Sequence, residues 1–192
     1  MTDSQKDAKY NLGKHLELLN AYAWHKQSAD RQQRAAASLR NGSLSDSECY
    51  VHFDFKENIK YPMGPVETGD MWHAQNKLSI ACWGCVAMVP AVGGGHLSVY
   101  MLYCSVVLDH DTLAAKMYLE QCLADLRACS GADWARVKTL RLVSDASPHF
   151  RSYESMAHYC VDIPRDFGVD VYVTWLGEGH GKGPVDAAGL KG

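Results

Sequence analysis

CYVHFDFKENI, residues 49–59, alternates Val51, Phe53 and Phe55 with Tyr50, His52 and Asp54. A period of two belongs to a β-strand with one apolar and one polar face. The pattern sets an acid in mid-strand between two phenylalanines. A lone carboxylate is costly to bury, so the elements around this strand decide what the acid is for.

Upstream, residues 5–39 are rich in Ala, Leu, Lys and Gln, with Leu12, Leu16, Leu19 and Ala23 at helical spacing. The stretch Ser28–Asp30 is expected to break or restart that helix, and NGSLSDS (41–47) reads as a loop. Downstream, a loop carrying Pro62, Gly64, Pro65 and Gly69 leads to a second strand, KLSIACWGCVAMV (77–89). VGGGH (92–96) is a turn, and LSVYMLYCSVVL (97–108) is a third strand rich in β-branched and aromatic residues. Asp109–Asp111 can cap a helix, whose apolar side carries Leu113, Met117, Leu119, Leu123 and Leu126. KTLRLVSD (138–145) is a fourth strand, SYESMAHYCVD (152–162) a helix, and DVYVTWL (170–176) a fifth strand. A glycine-rich stretch then opens what reads as a last helix.

The expected order is thus a helix followed by β-β-β-α-β-α-β-α. Consecutive strands joined by turns should be antiparallel, and strands joined across helices parallel. The fold class is α/β, a mixed sheet flanked by helices. Division follows at the change of period, with an N-terminal helical extension at 1–47 and one domain at 48–192.

Composition narrows the function classes. With 47% hydrophobic and 10% aromatic residues the 192-residue chain can build a core. No run approaches the roughly 18 apolar residues of a membrane span, and MTDSQKDAKYNLGKH lacks the order of a secretory signal. An intracellular protein is expected. A net charge of −3 and a pI near 6.3 leave any nucleic-acid contact to a local basic patch or to another chain. Seven cysteines scattered through apolar runs read as reduced core thiols. Cys82 and Cys85 form a CxxC, but strand-like residues follow it, and no second ligand pair exists for zinc.

Three acids hold telling places in the order. Asp54 lies midway along the first strand, Asp145 closes the fourth, and Asp186 lies at the start of the last helix. Strands one and four are neighbours in such a sheet, so the carboxylates would converge with one from a helix packed beside them. Clustered carboxylates repel unless a cation neutralises them, and hard divalent cations take oxygen ligands. Singly, each acid has a plain alternative: an edge-strand charge, a turn residue, a helix-surface acid.

The element order with Asp54, Asp145 and Asp186 resembles the ribonuclease H-like core of DDE-type transposases and integrases. VSDASPHFRSYE (143–154) is similar to their S-D-x-x-P-H-F-R-S segment around the second acid. HGKGPVDAAG (180–189) is similar to H-G-K-G-x-x-D-G around the third, and HFDFKENI (52–59) fits the first-acid strand. Ala146 and Ala187 depart from the glycine or small polar residue of many relatives, and no zinc finger, helix-turn-helix or other separate DNA-binding domain is expected within these 192 residues. The resemblance spans about residues 48–189 and leaves open an excised core, a decayed copy or a host-adopted remnant.

It implies that Asp54 bridges two Mg²⁺ or Mn²⁺ ions, with Asp145 on one and Asp186 on the other, for phosphodiester transfer or hydrolysis. It also implies His149, Arg151, His180 and Lys182 as substrate contacts. The implied partner is nucleic acid, DNA before RNA, with a second copy or an additional DNA-binding chain, in the nucleus. The alternative is a catalytically inactive ribonuclease H-like module. Glu178 is a rival third acid. The glycine-rich GK does not make a P-loop, because Gly183 and Pro184 follow Lys182 where a hydroxyl is needed. There is no G-x-S-x-G elbow either.

Overall fold

The computed structural model describes residues 3–39, 44–61 and 78–177. Its elements are α1 (Asp3–Ser38), β1 (Glu48–Tyr61), β2 (Leu78–Pro90), β3 (His96–Ser105), α2 (Thr112–Ala128), β4 (Thr139–Asp145), α3 (Pro148–Arg151), α4 (Tyr153–Ala157), α5 (Ile163–Phe167) and β5 (Asp170–Leu176). One 3₁₀ turn, Trp134–Arg136, precedes β4, and a π-helical turn, His158–Asp162, joins α4 to α5.

The five strands form one sheet in the order β3-β2-β1-β4-β5. β2 runs antiparallel to both β1 and β3, while β1–β4 and β4–β5 are parallel. Strands one and four are therefore neighbours, as the element order requires. This is a mixed sheet compatible with a ribonuclease H-like fold. The expected last helix lies outside the described residues.

Alternation sorts the sheet into two faces. Cys49, Val51 and Phe53 of β1, with Trp83, Cys85, Ala87 and Val89 of β2 and Leu140 and Leu142 of β4, make the main core. Against it pack Ala115, Leu119, Cys122, Leu123 and Leu126 of α2, together with Phe150, Tyr159 and Ile163. Each fully buried leucine contributes about 1.5–3 kcal/mol. On the other face Tyr50, Val143 and Leu176 cluster with Leu44, and Leu39 and Met88 pack on their rim. Cys82 and Cys85, three apart on β2, fall on opposite faces, so the CxxC cannot chelate one ion.

Three expectations change. First, α1 runs unbroken through Ser28–Asp30. Ala29 and Ala36 are buried there, and the Gln32 side chain accepts the Gly177 N–H at 2.8 Å, so packing outweighs the capping tendency of Ser and Asp. Leu12, Leu16 and Leu19, by contrast, are exposed. Second, β3 stops at Ser105, where its ladder with β2 ends at Ala81. Third, the helix expected at 152–162 is several pieces: Ser152 caps α4 by accepting the Ser155 N–H, and the π turn carries the chain on to α5.

Candidate functional site

The β1–β4 ladder runs from Glu48↔Thr139 to His52↔Val143. One row further along the same face lie Asp54 and Asp145. β2 and β5 extend that row, since Asp54 pairs with Gly84 and Asp145 with Leu176. Two carboxylates thus stand on adjacent parallel strands, on one face, at the point where the β1–β4 ladder ends. Strands are about 4.8 Å apart where they pair, and the two acids come just after the last paired row of β1 and β4. The carboxyl end of parallel strands is where open α/β sheets form ligand crevices.

The local sequence explains how Asp145 is held. Ser147 donates its backbone N–H to Asp145 Oδ1 at 3.0 Å and its hydroxyl to Oδ2 at 2.5 Å. This Asp-x-Ser turn ends β4 and leads into α3, with Pro148 in the first helical turn. Asp54 and Asp145 are both half-buried.

Beside Asp145, on the core side, is an aromatic cluster around Phe55. His110 stacks on Phe55 at 4.4 Å and 12°, and His149 meets it edge-on at 5.1 Å. Phe150 stacks behind at 5.8 Å. Burial holds the His149 imidazole below its ordinary pKa; Asp145 and Asp111 oppose that, and His110 reinforces it. At neutral pH His149 is a neutral donor and acceptor rather than a cation. Arg151 is exposed at the end of α3.

Of the sequence candidates, Asp54 and Asp145 lie on the neighbouring strands β1 and β4, His149 is near enough to Asp145 to feel its charge, and Arg151 lies two residues beyond His149. Glu178, His180, Lys182 and Asp186 lie outside the described residues. Among the described residues no group of three or more His, Cys, Asp or Glu side chains is arranged to hold a metal. Two carboxylates are oxygen donors of the type hard divalent cations take. Sequence reasoning missed His110 and Ser147. The first was hidden by reading DHD only as a cap; the second was legible in D-A-S as a side-chain turn.

A family model described as Domain of unknown function (DUF8701) matches residues 33–191. The chain belongs to this DUF8701 family. The match covers every strand and both acids of the pair, as well as the segment that holds Asp186. No curated protein matches the chain.

Among solved structures, the DUF8701 chain is similar to "Crystal structure of a pre-cleavage Mos1 transpososome", with a TM-score of 0.38 and 11% identity over 77% of this chain and 42% of that one. It is also similar to "Crystal structure of the Mos1 Strand Transfer Complex", with a TM-score of 0.34 and 11% identity over 76% and 41%. The chain spans about two-fifths of the length of these matched chains. Scores this low leave the architecture to be judged on the strand order itself. Among the described residues no helix is long and apolar enough to cross a membrane.

Proposed function

We propose that this DUF8701 chain performs divalent-metal-dependent phosphodiester chemistry on nucleic acid, by transfer or hydrolysis, in the manner of DDE-type transposase cores. One observation supports the reading: the β1–β4 register ends at His52↔Val143, and Asp54 and Asp145 each come two residues further along their strand, on the same face of the sheet. Two like charges so placed are best neutralised by a cation.

In this reading Asp54, Asp145 and Asp186 hold Mg²⁺ or Mn²⁺. Two such ions would activate a water or 3′-hydroxyl and stabilise the leaving oxygen. Ser147 fixes the Asp145 carboxylate through both oxygens, which orients a ligand before the ion arrives. His149, neutral by burial, offers a ring N–H to a phosphate oxygen, and Arg151 supplies charge to the flanking backbone. His180 and Lys182 serve the same strand from the segment of Asp186. DNA is the proposed substrate before RNA, in the nucleus. The net charge of −3 leaves the positive surface to a local basic patch or to an additional DNA-binding chain, and a second copy of the chain is a further proposed partner.

The test is cleavage of end-labelled duplex DNA, single-stranded DNA and RNA with Mn²⁺, alongside calorimetric titration of Mn²⁺. Asp54→Asn and Asp145→Asn are each expected to lower cleavage by about a hundredfold or more while leaving the fold intact. A wild-type chain that neither binds Mn²⁺ nor cuts any substrate refutes the reading. The same acidic net charge favours the second reading, an inactive ribonuclease H-like interaction module, which predicts that null result together with binding to a partner.

A further inference from the structure

The face of the sheet that carries Asp54 also carries a pair of thiols. Cys82 on β2 is directly opposite Cys104 on β3 in the antiparallel ladder. Their sulfurs are 3.5 Å apart. Cys82 also pairs across β1 with Lys56, so the thiols lie one row beyond Asp54↔Gly84. Cys104 is exposed and Cys82 buried.

We propose that Cys82 and Cys104 form a reversible cross-strand disulfide, a site of oxidation by low-molecular-weight disulfides such as oxidised glutathione. Directly opposed residues in antiparallel strands have Cα atoms about 4.5–5.5 Å apart, inside the range a disulfide spans. Closing from 3.5 Å to the bond length of about 2.05 Å moves each sulfur by about 0.7 Å, within reach of small side-chain rotations.

The unequal exposure orders the chemistry. The Cys104 thiolate attacks one sulfur of the small disulfide RSSR, making Cys104–S–SR and releasing RS⁻. The Cys82 thiolate then attacks the Cys104 sulfur, expelling the second RS⁻. Two protein thiols lose two electrons and two protons, and RSSR becomes two RSH.

The other close pair is the built-in contrast. Cys85 and Cys122 have sulfurs 3.3 Å apart, yet both are buried in the core. No solvent-borne disulfide reaches them, so proximity alone does not make an oxidation site. Cross-strand disulfides open to solvent are the labile kind, which suits a bond made and broken in place.

The inference is independent of the proposed chemistry on nucleic acid, and its test reads sulfur directly. The full chain is equilibrated with glutathione buffers of rising oxidised fraction, quenched with acid, unfolded, alkylated in denaturant and digested with chymotrypsin, which separates Cys82 from Cys85 at Trp83. The expected result is a Cys82–Cys104 cross-linked peptide and two fewer alkylatable thiols, reversed by dithiothreitol. Cys122→Ser should leave that outcome unchanged, and Cys104→Ser should abolish the cross-link. Either of two results overturns the proposal: Cys104 carrying only glutathione while Cys82 is recovered alkylated, or a cross-link joining Cys85 to Cys122 instead.

Discussion

Phe150 is the side chain on which the segment after Asp145 depends. It is fully buried, meets Phe53 edge-on at 5.2 Å, and stacks on Phe55 at 5.8 Å. Its carbonyl accepts the Trp175 indole N–H at 3.3 Å. Truncating a buried phenylalanine to alanine costs about 3–5 kcal/mol, a large share of the 5–15 kcal/mol that typically holds a domain together. Phe150→Leu is the more informative change, because it keeps most of the volume and loses the ring contacts with Phe53 and Phe55, as well as that with His149. Each of the two phenylalanine pairs adds about 0.5–1.5 kcal/mol beyond its buried area, so the expected loss from them is about 1–3 kcal/mol. For a chain of this size that lowers Tm by about 2–12 °C. Urea unfolding followed by tryptophan fluorescence measures it. A double-mutant cycle with Phe53→Leu should return a coupling of about 0.5–1.5 kcal/mol. If Phe150→Leu is neutral within 0.5 kcal/mol and the coupling vanishes, α3 does not dock on β1, and the placement of His149 beside Asp145 fails with it.

Three further expectations follow from individual contacts. His158 is buried, with Nδ1 3.5 Å from both Glu120 and Asp162, and burial holds its pKa below the ordinary 6.5 despite those acids. The folded state therefore binds this proton less readily than the unfolded state. The stability it secures is present above pH 6.5 and lost as pH falls, with a slope approaching about 1.4 kcal/mol per pH unit. Urea midpoints between pH 7.5 and 5 should decline, and less steeply in His158→Leu; equal slopes would refute the assignment. Asp111 caps α2 by accepting the Ala114 N–H at 2.8 Å, so Asp111→Ala should cost about 1 kcal/mol in the same unfolding assay. Ser147→Ala removes the hydroxyl donor to Asp145 and should weaken Mn²⁺-dependent cleavage by about 10–100-fold with little change in Tm.

How much of this was legible follows from which forces are local. The period of two placed β5 at its observed bounds, Asp170–Leu176, and put Phe53 and Asp54 on opposite faces. The order of elements was enough to make strands one and four neighbours. What the sequence could not convey depended on partners. Val106–Leu108 have strand propensity but are exposed, because β2 offers no ladder beyond Ala81. The unbroken α1 needed knowledge that Ala29 packs on the body of the fold. The stacking of His110 on Phe55 joins residues 55 apart in sequence, and no local pattern announces it.

β1 holds one irregularity. Between Lys56 and Ile59 it advances three residues while β2 advances two, from Cys82 to Ile80. That is a β-bulge, one extra residue absorbed without a partner. It lies after Asp54, not before it. Because side chains alternate, adding or deleting one residue anywhere from Glu48 to Asp54 would turn the carboxylate into the core and a phenylalanine toward Asp145. Beyond Lys56 an extra residue falls after the acid and leaves its facing unchanged. The strand thus falls into two parts: one whose length sets which way the carboxylate faces, and one in which a residue more or less leaves that facing untouched.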